Sequence, residues 1–201
     1  MNYLAHLYLS GEDKNLRLGN FIADGIKGNQ LHIYHQAVQK GIRLHRAIDD
    51  FTDHHPIVAQ SKKRLYPTMH KYAAVATDVI FDHFLAKNWN DYMPKIDLNT
   101  YSQAIYLEMN AQIALLPPKI QQLLPYMIKN NWLVAYGSLE GLDKVMKGMS
   151  QRAKFESNMD KTCELLILNY VEFEQEFKHF FDELMVFCVQ YINQNPSTQN
   201  T

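Results

Sequence analysis

The stretch Gly41–Asp53, GIRLHRAIDDFTD, decides how the rest of the chain is read. Wound at 100° per residue, it presents two stripes. Leu44, Ile48 and Phe51 form an apolar stripe that needs a core to bury it. His45, Asp49, Thr52 and Asp53 form a polar stripe beside it, with His45 and Asp49 one turn apart. An imidazole and a carboxylate at i,i+4 can reach one metal ion or share one proton. Arg46 lies well around the helix from that pair, and a surface ion pair with Asp50 is its ordinary use.

Outward from this stretch, nearly every segment repeats with helical rather than alternating period, and glycines and prolines punctuate the turns. The pattern predicts helices over 2–9, 14–26, 33–51, 56–65, 69–88, 99–115, 119–131 and 139–149, then one long helix over 156–191. Breaks are expected at His54-His55-Pro56, Tyr66-Pro67 and Pro117-Pro118. No repeat and no linker divides the chain. The reading is a single all-α domain over 1–192, with a polar, disordered tail over 193–201, NQNPSTQNT.

Composition narrows the function classes. A hydrophobic share of 47% against 20% charged residues suits a globular core. The net charge of -1 gives no overall pull toward nucleic acid or an anionic membrane. No window is long and apolar enough to span a bilayer, and the N-terminus lacks the pattern of a signal peptide. The two distant cysteines, Cys163 and Cys188, read as reduced thiols, so the expected location is the cytoplasm.

The second unusual stretch is Val75–Trp89. It carries Asp78 and Asp82 one turn apart on the side that also bears Ala74, Val75, Phe81 and Leu85. Carboxylates on an apolar face are rare unless paired, hydrogen-bonded or bound to a cation. His83 points away from Asp78 and either caps a network or takes part in chemistry. His6 stands among Leu4, Ala5 and Leu7, as a core histidine or a ligand, and Asp24 follows Asn20 by one turn in LGNFIADGIKG. Gly19, Ala23 and Gly25 around them would let another helix approach closely. His6, Asp24, His45, Asp49, Asp78 and Asp82 thus form one candidate cluster. Imidazole with several carboxylates and no thiolate suits Mn²⁺, Mg²⁺ or Fe²⁺. There is no Gly-rich phosphate loop, GxSxG elbow or HExxH motif to suggest another chemistry.

With these residues in view, the chain resembles the acyl carrier protein hydrolases, also called acyl carrier protein phosphodiesterases. The matching pieces are MNYLAHLYLS, LGNFIAD, GIRLHRAIDDFTD, TDVIFDHFLAKNW and NWLVAY, in that order; beyond Gly148 the match is one of helical character. That family is similar to the HD-domain phosphohydrolases. The resemblance implies a divalent metal, manganese favoured, and hydrolysis of 4′-phosphopantetheine from a serine of holo-acyl carrier protein to leave the apo protein. It carries His6, Asp24, His45, Asp49, Asp78 and Asp82 as metal ligands. His83, Arg46 and Asp82 carry over as catalytic groups, with His83 protonating the leaving oxygen and Arg46 stabilising phosphoryl charge. The ordinary His-Asp dyad is absent; the adjacent pair here is Asp82-His83. An acidic carrier protein facing a nearly neutral chain implies a local basic patch, for which Arg43, Lys62, Lys63 and Arg64 are the candidates. The alternatives are an HD-like hydrolase of a nucleotide or other small phosphate ester, and a non-catalytic helical adaptor.

Overall fold

The computed structural model describes residues 1–195, and every regular element among them is helical. In chain order these are α1 (Tyr3–Leu9), α2 (Lys14–Ile22), α3 (Gln36–His54), α4 (Pro56–Met69), α5 (Ala73–Lys87), α6 (Trp89–Tyr92), α7 (Leu98–Ala111), α8 (Pro118–Lys129), α9 (Trp132–Ala135), α10 (Leu139–Arg152), α11 (Thr162–Leu168) and α12 (Tyr170–Gln194), with short 3₁₀ turns between several of them. They share one hydrophobic core. No helix among the described residues is long and apolar enough to cross a membrane.

The centre of that core is α5. Ala76, Val79, Ile80, Phe81, Phe84 and Leu85 are all buried, and they point to several sides of the helix. A helix apolar all round must be surrounded. α1, α4, α10 and α12 pack around it. The α12 face supplies Phe177 and Phe180, whose rings meet Phe81 and Phe84 at centroid distances of 5.4–6.0 Å.

The tightest crossing is α2 on α3. Gly19 and Gly41 face each other there: a Cβ on Gly41 would lie 2.3 Å from the Leu16 carbonyl oxygen and 2.8 Å from the Gly19 Cα. Both backbones can approach this closely only because neither position has a side chain. The crossing puts Asn20, next to Gly19, against His45, one turn after Gly41. Gly19 was readable as a contact point, but Gly41 looked only like a weak spot in its own helix.

Several boundaries differ from the sequence expectation. α4 continues through Pro67 to Met69, because burying Leu65 and Met69 outweighs the strain of a proline in the last turn. The long pattern over 156–191 is two helices, divided at Asn169, whose side-chain amide caps the Leu165 carbonyl. α6 and α9 lie where loops were expected. α12 extends through Asn193 and Gln194, so the first two residues of the expected tail are helical. The remainder of that tail, from 196 on, lies outside the described residues.

Candidate functional site

The polar stripe of α3 opens onto a cavity of about 390 Å³ lined by residues of α1, α3, α5 and α10 and by Asp24. One wall is polar: Asp24, His45, Asp49, Asp53 and Asp78. Ala74, Val75 and Val79 of α5 and Met149 of α10 also line the cavity.

Three of the polar lining residues, Asp24, His45 and Asp49, meet the buried His6, which brings together four side chains from three segments. His45 Nε2 lies 3.1 Å from Asp49 Oδ2 and 3.3 Å from Asp24 Oδ1. His6 Nε2 lies 3.2 Å from both Asp49 Oδ1 and the Met1 carbonyl oxygen, so Asp49 spans both imidazoles. The two rings stack with centroids 3.9 Å apart. Asp24 comes from the 3₁₀ turn Ala23–Gly25 that ends α2, and His6 from buried α1. Ligand atoms of His6, His45 and Asp49 all lie within 4.8 Å of one another.

The electrostatics follow from this crowding. Burial lowers the pKa of His6 to about 4, and the charge of the stacked His45 pushes the same way against Asp49. A second proton on His6 would also be a buried N–H with no acceptor, since Nδ1 has no partner. Burial pulls His45 down too, but the hydrogen bonds to Asp24 and Asp49 outweigh it and raise it to about 9. Asp49 is half-exposed yet held far below the usual carboxylate range, because its bonds to the two imidazoles outweigh desolvation.

The two carboxylates of α5 do other work. Asp82 is fully buried and accepts from the backbone N–H groups of Leu4 (2.7 Å), Asn2 (3.2 Å) and Ala5 (3.3 Å). These are the amides that a helix N-terminus leaves without partners. Asp82 therefore caps α1 from another helix, and it does not line the cavity. Burial pushes its carboxyl up to about 7 while the amides and the N-terminal ammonium pull it down. Asp78 lines the cavity, but its Oδ1 bonds the Met1 ammonium at 2.9 Å. The α3 and α5 stretches thus meet through α1: α5 holds its start, and α1 delivers His6 to α3.

The remaining candidates are also redirected. His83 is buried outside the cavity lining, with Nδ1–H donating to the Tyr136 carbonyl (2.7 Å) and Nε2 bonded to the Tyr170 hydroxyl (2.9 Å). Arg46 is exposed and reaches the Ile26 carbonyl at 3.5 Å, away from the cavity lining. Of the expected basic patch, Arg64 is bound to Glu176 at 2.7 Å and Lys62 to Asp53 at 2.8 Å, so both charges are met within the chain. Arg43 donates to Gln39 Oε1, and Lys63 is exposed. Val75 had a readable signal, on the helix side that bears Asp78; Met149 had none.

The donor set fits a divalent cation on geometric grounds. Two carboxylate oxygens converge on His45 Nε2, which can offer only one proton. A cation at that point of convergence would satisfy the imidazole and carboxylates together.

Comparison with known proteins agrees in extent. The family model described as acyl carrier protein phosphodiesterase matches residues 1–184. Proteins named acyl carrier protein phosphodiesterase from Photorhabdus laumondii and Serratia proteamaculans are each 32% identical over 92% of this chain, covering 93% and 96% of their own lengths. One from Pectobacterium atrosepticum is 30% identical over the same share and 96% of its length. No solved structure matches the chain. The length of these matches, spanning α1 through most of α12, shows that the chain belongs to the acyl carrier protein phosphodiesterase family, whose members are phosphoric diester hydrolases.

Proposed function

We propose that this protein hydrolyses the phosphodiester between a 4′-phosphopantetheine arm and a serine of holo-acyl carrier protein, releasing the apo carrier. His6, His45, Asp49 and Asp24 would hold a divalent ion for that reaction, Mn²⁺ first and Mg²⁺ or Fe²⁺ as alternatives. The observation that carries the reading is the convergence of these four side chains at the edge of one cavity, three of them lining it, in a chain whose relatives are named for this substrate. The expected likeness to HD-domain phosphohydrolases belongs to the same reading, as does a cytoplasmic location.

When bound, such an ion polarises a phosphoryl oxygen and lowers the pKa of a coordinated water. The chain's own residues supply the rest. Asp49 ties the two imidazoles together, and Asp24 completes the wall from the α2 side. Asp82 keeps α1 in place and with it His6. On the α5 and α10 side of the same cavity, Val75, Val79 and Met149 offer an aliphatic surface suited to the branched hydrocarbon that begins the pantetheine arm. A phosphodiester in the cavity would lie with its oxygens toward the ligands and its alkyl arm toward these residues.

The test is the intact mass of a holo-acyl carrier protein after incubation with this protein and Mn²⁺, with and without EDTA. Loss of the phosphopantetheine mass only with metal is the expected result. An unchanged carrier, with a nucleotide or simple diester cleaved instead, would replace this reading with the small-ester hydrolase.

A further inference from the structure

We propose that Asn20 is a positioning residue that holds the His6 and His45 imidazoles in register for a cation. This rests on the reading of His6, His45, Asp49 and Asp24 as a cation site.

Asn20 is buried, and all its side-chain hydrogen bonds run to the two histidine-bearing segments. Its Nδ2 donates to the His6 carbonyl at 2.8 Å and to Ser10 Oγ at 2.9 Å. Its Oδ1 faces His45 Nδ1 at 3.0 Å, and its own carbonyl oxygen faces the same nitrogen at 2.9 Å. The directions of these bonds are forced. The His6 carbonyl only accepts, so Nδ2 must face it and Oδ1 must face His45. The Asn20 carbonyl only accepts, so His45 Nδ1 must carry a proton. A neutral His45 is therefore left with its lone pair on Nε2, the atom that meets Asp24 and Asp49.

The same amide acts on the second ring. By gripping the His6 carbonyl, it ties α1 to α2 at the residue whose ring stacks on His45. Ser10 reinforces the grip, because its hydroxyl also donates to the His6 carbonyl at 2.8 Å. One side chain on α2 thus sets the spacing between a ring on α1 and a ring on α3. The Gly19–Gly41 contact next to it brings α2 and α3 close enough for the bond to His45.

Groups that orient metal-binding histidines from behind change metal affinity about 10–100-fold when removed. The test is Mn²⁺ titration of the full chain by electron paramagnetic resonance, comparing wild type, Asn20→Ala and Ser10→Ala, with helicity checked by circular dichroism. In Asn20→Ala the Ser10–His6 bond and the His45 bond to the residue-20 carbonyl can persist, so folding is expected. The expected result is affinity lowered about 10–100-fold in Asn20→Ala, a smaller loss in Ser10→Ala, and an altered line shape of the bound ion. A purely structural role for Asn20 would lower the melting temperature and leave affinity and line shape alone. Wild-type affinity and line shape in both folded variants would overturn this proposal alone. A wild-type chain that binds no Mn²⁺ would overturn the cation reading and this proposal with it.

Discussion

Replacing Gly41 by alanine tests whether the α2–α3 crossing builds the site. In an ordinary helix interior the change stabilises by about 1 kcal/mol through propensity. Here the new Cβ would stand 2.3 Å from the Leu16 carbonyl oxygen, 2.8 Å from the Gly19 Cα and 3.0 Å from the Asn20 nitrogen. All three are backbone atoms, so no side chain can turn aside. Ordinary contact starts near 3.4 Å, and relief requires the helices to part by about 1 Å. Overpacking typically costs about 1–3 kcal/mol, and backbone against backbone belongs at the upper end. The net expectation is about 2 kcal/mol of destabilisation, or about 4–8 °C in Tm for a chain of this size. Parting by that distance also stretches the 2.9 Å and 3.0 Å contacts between Asn20 and His45 beyond hydrogen-bonding range. Mn²⁺ affinity should therefore fall along with stability. Gly148→Ala in α10 is the control, since its Cβ would meet only the flexible Arg152 guanidinium, at 3.3 Å or more. Calorimetry of both variants decides the matter. An unchanged or raised Tm for Gly41→Ala, matching Gly148→Ala, would refute the reasoning.

Three further outcomes are expected. Asp82→Ala should destabilise by about 1–3 kcal/mol by leaving buried α1 amides without partners, whereas Asp49→Ala should abolish metal binding in a folded protein; denaturant titration beside metal titration separates the two. In the metal-free chain, His45 is raised from 6.5 to about 9, so its contribution is full below pH 6.5 and lost as pH rises through 9. His6 is lowered from 6.5 to about 4, so the unfolded state takes up the extra proton and stability declines as pH falls from 6.5 toward 4. Stability should therefore peak near pH 6.5 as far as this pair is concerned, and a His45→Gln variant that kept the alkaline decline would contradict the assignment. Val75→Ser on the apolar wall should lower kcat/KM for an arm-bearing carrier by roughly tenfold and spare a simple aryl phosphodiester; equal effects on both substrates would show that this wall does not contact the arm.

What the sequence determined by itself is local. Helical period is a property of residues three and four apart, so the all-α class and the pairing of His45 with Asp49 were legible within one helix. Punctuation by His55-Pro56 was legible for the same reason, and α3 ends at His54. The residue types grouped His6 and Asp24 with His45 as one candidate cluster, and the matched motifs added the family.

Only the tertiary structure decided what the buried acids and bases face. Asp78 and Asp82 share a helix side and look equivalent in sequence. One meets the Met1 ammonium beside the cavity and the other caps α1, because α1 lies across that face of α5. His83 turns to Tyr136 and Tyr170, and Lys62 and Arg64 are drawn to Asp53 and Glu176, through contacts between residues far apart in the chain. The division at Asn169 likewise depends on how α11 and α12 each bury their own apolar sides, since the periodicity runs on through it. Spacing along a helix decides which side chains share a face. Which helix that face meets is set by core packing and by close backbone approach, and here by two glycines on separate helices.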